Sequence, residues 1–168
     1  MTETILKMQK KVKRYLDKDR YDHTIGVMHT AGCLAMRYGA NLEQALTAGL
    51  LHDCAKCVPA DEKIKLCEKN HIEISDAEYK NPGLLHAKLG AFFARKKYGI
   101  ENEEILRSIE SHTTGRPNMS LLDKIIYIAD YIEPGRDVAP NLPEVRALAF
   151  VDIDACLYRI LEDTLAYL

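Results

Sequence analysis

Residues 41–56 read NLEQALTAGLLHDCAK. Asn41 is a good N-cap, and Gln44 three residues on gives a capping-box-like pattern, so a helix opens here. Its apolar run reaches His52 and Asp53, and Pro59 ends it, which predicts a helix through Lys56. An ionisable pair at the end of an apolar helix is costly to bury without a partner. A metal ion is one such partner. The stretch offers two donor pairs for it, His52 with Asp53 or Cys54 with Cys57.

The same helical period extends in both directions. Ile5, Met8, Val12, Tyr15 and Leu16 recur at helical spacing with lysines between them, a surface helix with a solvated basic face. DHTIGVMHTAGCLAMRYG (22–39) is a second helix stopped by Gly39. Residues 61–81 are charged and loose, with room for a short helix or two, before the turn signal Asn81-Pro82-Gly83. LLHAKLGAFFARKKYG closes at Gly99, and NEEILRSIESHTTG ends near Gly115. Ser120 caps LLDKIIYIADYIEPG, which Pro134 and Gly135 stop. From about Pro143 a last helical segment carries Val145, Leu148, Ala149, Ile153, Leu157, Ile160 and Leu161. No stretch alternates with period two. The fold class is therefore all-α, one compact helical domain over residues 1–168.

Composition narrows the partners. Hydrophobic residues make up 47% and charged residues 29% of 168, and the net charge is −2. That balance gives no reason to expect nucleic acid or a membrane surface. The lysine-rich N-terminus has no apolar run long enough for a signal peptide or a span. Five cysteines, an odd number at irregular spacing, point to free thiols in a reducing cytoplasm. A homodimer is compatible with the chain, but no surface in the sequence marks its interface.

Six histidines are present, and His23, His52, His86 and His112 fall near the ends of apolar helices. Asp53 follows His52, and Asp130 sits among Ile128, Ala129, Tyr131 and Ile132. No lysine or arginine lies three or four residues from Asp130 on its helix, so its counter-charge must come from elsewhere in the fold. One buried histidine is ordinarily a satisfied core residue. Four histidines with two aspartates, each in or beside an apolar helix, exceed that explanation. Imidazole and carboxylate suit iron, manganese, cobalt or zinc. Two metals bridged by Asp53 would use all six donors, in a pair roughly 3.5–4 Å apart that clamps a phosphoryl group and activates a water. The rival Cys54-x-x-Cys57 lacks the second short-spaced pair that structural zinc requires, since Cys33, Cys67 and Cys156 are isolated. His29, six residues after His23, lies well round the helix from it and is read as a non-ligand.

The blocks DHTIGV, GLLHDCAK, NPGLLHAKLGA and HTTGRPNMSLLDKIIYIADYIEPGR together resemble the HD-domain metal-dependent phosphohydrolases. Within that superfamily they are similar to the YqeK group, the symmetrical bis(5'-nucleosyl)-tetraphosphatases. The resemblance covers about residues 20–150 and implies an HD-type helical bundle. It places one metal on His23, His52, Asp53 and Asp130 and the other on Asp53, His86 and His112, with His52 and Asp53 as the catalytic pair and iron as the expected metal. Cys54 departs from the family pattern, where an aliphatic residue is expected, and so does His29.

The activity implied is hydrolysis of diadenosine tetraphosphate into two ADP by metal-activated water. So anionic a substrate needs cations. Lys56, one helical turn past Asp53, and the arginines of the two glycine–arginine steps, Arg116 and Arg136, are the expected phosphate contacts. Thr113 and Thr114 offer hydroxyl donors beside His112, whereas Tyr127 and Tyr131 are read as core. The alternatives are another HD-type phosphohydrolase (a nucleotide 5'-phosphatase, a cyclic-nucleotide phosphodiesterase or a guanosine-polyphosphate hydrolase) or a non-catalytic nucleotide sensor. A purely structural scaffold would leave Asp130 unexplained.

Overall fold

A computed structural model describes residues 1–167. Ten α-helices follow one another: α1 (Glu3–Val12), α2 (Lys18–Tyr38), α3 (Leu42–Leu51), α4 (Ala60–Lys69), α5 (Asp76–Lys80), α6 (Leu85–Tyr98), α7 (Glu103–Ser111), α8 (Leu121–Ile132), α9 (Leu142–Ala149) and α10 (Ile153–Tyr167). A single 3-10 turn, Pro82–Leu84, leads into α6. No strand occurs among the described residues, as the absence of period-two alternation required.

Short polar side chains set the helix starts. Asp17 accepts the Arg20 N–H at 2.8 Å and so begins α2 four residues before the Asp22 start that the sequence suggested. Asn41 accepts the Gln44 N–H at 3.0 Å and opens α3. Ser120 and Asp123 form a complete capping box on α8. Gly39 and Gly99 end α2 and α6 in the left-handed conformation (φ 69° and 71°).

The main core joins α2, α3, α7 and α8 through Val27, Met28, Leu34, Leu50, Leu51, Ile109, Ile125, Ile126 and Ile128. Burying each such side chain stabilises the fold by about 1.5–3 kcal/mol before entropy is counted. A second cluster of Cys54, Ala55, Cys67, Leu85, Leu89 and Phe93 fastens α4 and α6 to the turn after α3. Helices α2 and α3 pack most extensively, and they approach closely where Gly49 meets Met28. A β-carbon on Gly49 would lie 2.9 Å from the Met28 Cα, inside any real contact.

Besides the early start of α2, helix α7 stops at Ser111, short of Gly115, and two further predicted helices differ more from expectation. Helix α3 stops at Leu51 instead of continuing to Lys56. The His52 ring takes the Gly49 carbonyl at 2.7 Å, and residues 51–58 then run as successive three-residue turns, such as Lys56 N–H to the Asp53 carbonyl at 2.9 Å. The segment after Pro143 is two helices, because the Asp152 carboxylate accepts the N–H groups of Asp154 and Ala155 and starts α10 afresh.

Candidate metal centre

The helix packing brings six side chains to one point. His23 lies in the second turn of α2, His52 and Asp53 just past α3, His86 at the start of α6, His112 just past α7 and Asp130 near the end of α8. His23 Nε2 is 3.0 Å from Asp130 Oδ1, and His52 Nε2 is 3.9 Å from the same oxygen. The two oxygens of Asp53 face opposite ways. Oδ1 lies 3.2 Å from His86 Nε2 and 3.5 Å from His112 Nε2, whereas Oδ2 lies 3.5 Å from His52 Nε2 and 4.0 Å from His23 Nε2. The donor atoms of His23, His52 and Asp130 sit within 4.8 Å of one another, as do those of His52, Asp53 and His112.

The outer nitrogens decide which way the inner ones are charged. Each Nδ1 meets an acceptor oxygen: Glu133 Oε1 for His23 (2.9 Å), and the carbonyls of Gly49 for His52 (2.7 Å), Gly83 for His86 (2.6 Å) and Ile109 for His112 (2.7 Å). A hydrogen on every Nδ1 leaves every Nε2 as a lone pair in the neutral ring. Four lone pairs therefore converge on two carboxylates. His86 and His112 bring theirs to 3.1 Å. His52, Asp53, His86 and His112 are all nearly fully buried. His23 Nε2, His52 Nε2 and Asp53 Oδ1 have no hydrogen-bond partner. Acceptors facing acceptors out of water are unstable unless cations lie between them, and this nitrogen and oxygen set fits divalent first-row metals.

Titration follows the same crowding. Burial alone would raise the Asp53 carboxyl, but the imidazoles of His52, His112 and His86 crowded around it outweigh burial and, in the metal-free protein, hold it well below the usual carboxylate range. Asp130 is likewise held low: burial opposes ionisation, and His23, His52 and His112 outweigh it. Burial lowers His86, which favours its neutral ring. At His23 burial also acts downward, but the Asp130 and Glu133 carboxylates prevail and raise it.

The expected phosphate contacts divide. Lys56 Nζ reaches to 3.3 Å of His86 Nε2, and Thr113 Oγ1 lies 3.2 Å from both His86 Nε2 and His112 Nε2. Arg136 places Nη2 at 2.9 Å from Asp130 Oδ1 and Nε at 3.0 Å from the Asp130 carbonyl, the counter-charge that α8 itself lacked. Thr113, Tyr131 and Arg136 line a cavity of about 150 Å³ beside His112 and Asp130. Arg116 and Thr114 make their contacts elsewhere. Arg116 pairs with Asp123 at 2.5 Å, Thr114 hydrogen-bonds Gly115, and both line a separate cavity with Lys88 and Arg107. Tyr127 is buried in the core, as read, and its ring also borders the smaller cavity; Tyr131 is partly buried there. His29 stands in an apolar groove with Ile25, Cys33 and Phe150. Cys54 points to the Gly90 carbonyl and burial pushes its thiol up to about 12, while Cys57 points to Asp17. No cysteine joins a metal-type cluster among the described residues.

Two residues at the centre escaped the sequence reading. Arg20 donates to Asp53 Oδ2 at 2.9 Å; its signal was its place one turn before His23. Glu133, three residues past Asp130, lies buried against His23.

A helical chain converging four histidines and two aspartates defines a class, and the chain belongs to the HD-domain family, which matches residues 20–135. It is similar to a protein of Bacillus subtilis named bis(5'-nucleosyl)-tetraphosphatase, symmetrical, 41% identical over 94% of this chain and 83% of that protein. The protein of the same name from Staphylococcus aureus is 33% identical over 98% of this chain and 84% of its own length. Among solved structures, a predicted HD superfamily hydrolase involved in NAD metabolism from Clostridium acetobutylicum superposes with a TM-score of 0.92. It is 44% identical, with 96% of this chain and 85% of that one covered.

Proposed function

We infer that the chain is a metal-dependent hydrolase that splits diadenosine tetraphosphate symmetrically into two ADP. The observation that carries the metal is the meeting of four Nε2 lone pairs with Asp53 and Asp130. The relatives named as symmetrical tetraphosphatases, matched over nearly the whole chain, support the substrate. His23, His52, Asp53 and Asp130 would hold one ion, and Asp53, His86 and His112 the other, with one Asp53 oxygen turned to each group. The pair would supply Lewis acidity toward phosphoryl oxygens and a nucleophile from water at neutral pH. Iron is the proposed metal, and a reducing cytoplasm, consistent with five free cysteines, the proposed compartment.

The chain's own residues bind and orient the substrate. Arg20, Lys56 and Arg136 stand at the rim, each already within reach of a proposed ligand, so a bound polyphosphate draws their charges onto its non-bridging oxygens. Thr113 adds a hydroxyl donor between His86 and His112. Such clamping holds the attacked phosphorus in line, where most of the catalytic benefit in phosphoryl transfer arises. The leaving group is ADP itself, a good one.

The test is product chromatography on diadenosine tetraphosphate together with metal analysis of protein purified with and without air. ADP as the main product and about two equivalents of metal support the reading. ATP with AMP, or inorganic phosphate, would overturn the substrate; a metal-free active enzyme would overturn the centre.

A further inference from the structure

Three of the four converging histidines lean on neutral oxygens. His52, His86 and His112 each give Nδ1–H to the main-chain carbonyl three residues back. His23 is the exception, because its partner is the Glu133 carboxylate, 110 residues along the chain. Glu133 is 3% exposed and firmly held. Its Oε2 accepts the Gly135 N–H at 2.6 Å. Arg146 ties down the surrounding main chain by donating to the carbonyls of Ile132, Glu133 and Arg136. Helix α2 makes room at Gly26, where a β-carbon would overlap Glu133 Oε2. Among the described residues no lysine or arginine pairs with this carboxylate, and His23 is its single ion-pair partner.

A buried carboxylate without a cation is costly. Among its ion-pair partners the positive charge reaches it through the imidazole, from a proton or a metal ion on the other nitrogen of His23. A carboxylate behind a ligating imidazole fixes its orientation and raises its basicity, whereas a carbonyl does so more weakly. We propose that Glu133 is a positioning residue that makes the His23 end of the cluster the tighter of two metal positions, so that the centre fills in order. This rests on the two-metal reading above. The sequence is consistent with such a design, since Gly26 and Glu133 belong to the same two blocks as His23 and Asp130.

The experiment titrates the metal-free 168-residue chain with Mn²⁺, following heat by calorimetry and free ion by electron paramagnetic resonance. Wild type should bind two equivalents of unequal affinity. Glu133→Gln keeps the side-chain shape and removes the charge. It should weaken the tighter equivalent about 10–100-fold and leave the weaker within about twofold, with unchanged circular dichroism. Gly26→Ala displaces the carboxylate and should act in the same direction, which keeps the test open if the first variant folds poorly. Unchanged constants, equal weakening of both equivalents, or two equal sites in wild type would overturn the role of Glu133 while leaving two metals in place. A wild-type protein that takes one equivalent would overturn the two-metal reading and this ordering with it.

Discussion

Helix α8 carries an aspartate–arginine pair at each end, and the two ends do different things. Asp123, in the first turn, meets Arg116 at 2.5 Å; Asp130, seven residues and two turns later, meets Arg136 at 2.9 Å. In both cases the arginine follows a glycine in the flanking loop. The difference lies in what else each carboxylate sees. Asp123 also accepts the Ser120 N–H at 2.8 Å and completes a cap. Asp130 also faces His23 and His52. Both ends contain an orphaned buried atom, Asp123 Oδ1 at one and His23 Nε2 at the other. A lone unsatisfied oxygen is therefore no sign of a metal. Convergence of several donors is.

The largest effects should separate the two ends outright. Asp130→Asn is expected to lower turnover by roughly 10²–10³-fold and to reduce bound metal, since a charge aimed at the reacting centre is lost. Asp123→Asn should leave turnover per folded molecule unchanged and cost about 1–3 kcal/mol of stability, read as a fall in melting temperature. Steady-state kinetics, metal analysis and thermal unfolding on both variants would decide. An Asp130→Asn enzyme of normal activity would dissolve the contrast.

The arginines should differ by less. Arg136→Ala is expected to raise KM for diadenosine tetraphosphate roughly tenfold, the loss of about one charged hydrogen bond, and Arg116→Ala to leave KM alone and lower the melting temperature. A raised KM in Arg116→Ala would bring the second cavity into the substrate path. Arg136→Lys keeps the charge but loses the fork that reaches the Asp130 carboxylate and carbonyl together, so KM should rise only about threefold. The smallest effect is on titration. In the metal-free protein Asp130 is held below its ordinary 3.8. Its ion pair therefore stabilises the fold fully above that pH and is lost only as pH falls through the lower folded value. Carboxyl carbon NMR should show Asp130 still ionised at pH 3.8; protonation at or above that pH would contradict the pairing.

The sequence made the helices and the six converging residues legible for one reason. Ionisable groups inside apolar periodicity have few cheap explanations, and His52, Asp53 and Asp130 each broke such a run. It was less informative where a loop's direction decides the outcome. Nothing in HTTGRP says that Arg116 turns toward the start of α8, because the turn of residues 112–120 is set by tertiary packing. Glu133 was hidden for another reason: it reads as an ordinary acidic residue before Pro134, and only the approach of α2 at Gly26 buries it. Arg20 stands in a basic, charge-rich segment, and only the start of α2 at Lys18 places it on the same helix as His23, one turn away.

The contact of Gly49 with Met28 has a bearing on the histidine–aspartate cluster that no donor atom reveals. Gly49 stands three residues before His52 and Met28 five after His23, so the point where α2 and α3 touch is also the fulcrum between two of the imidazoles. The gauge of the centre is thus set by an atom the chain does without. A methyl group at residue 49 would pry the helices apart and widen the gap between the two rings, with all six donor side chains still in place.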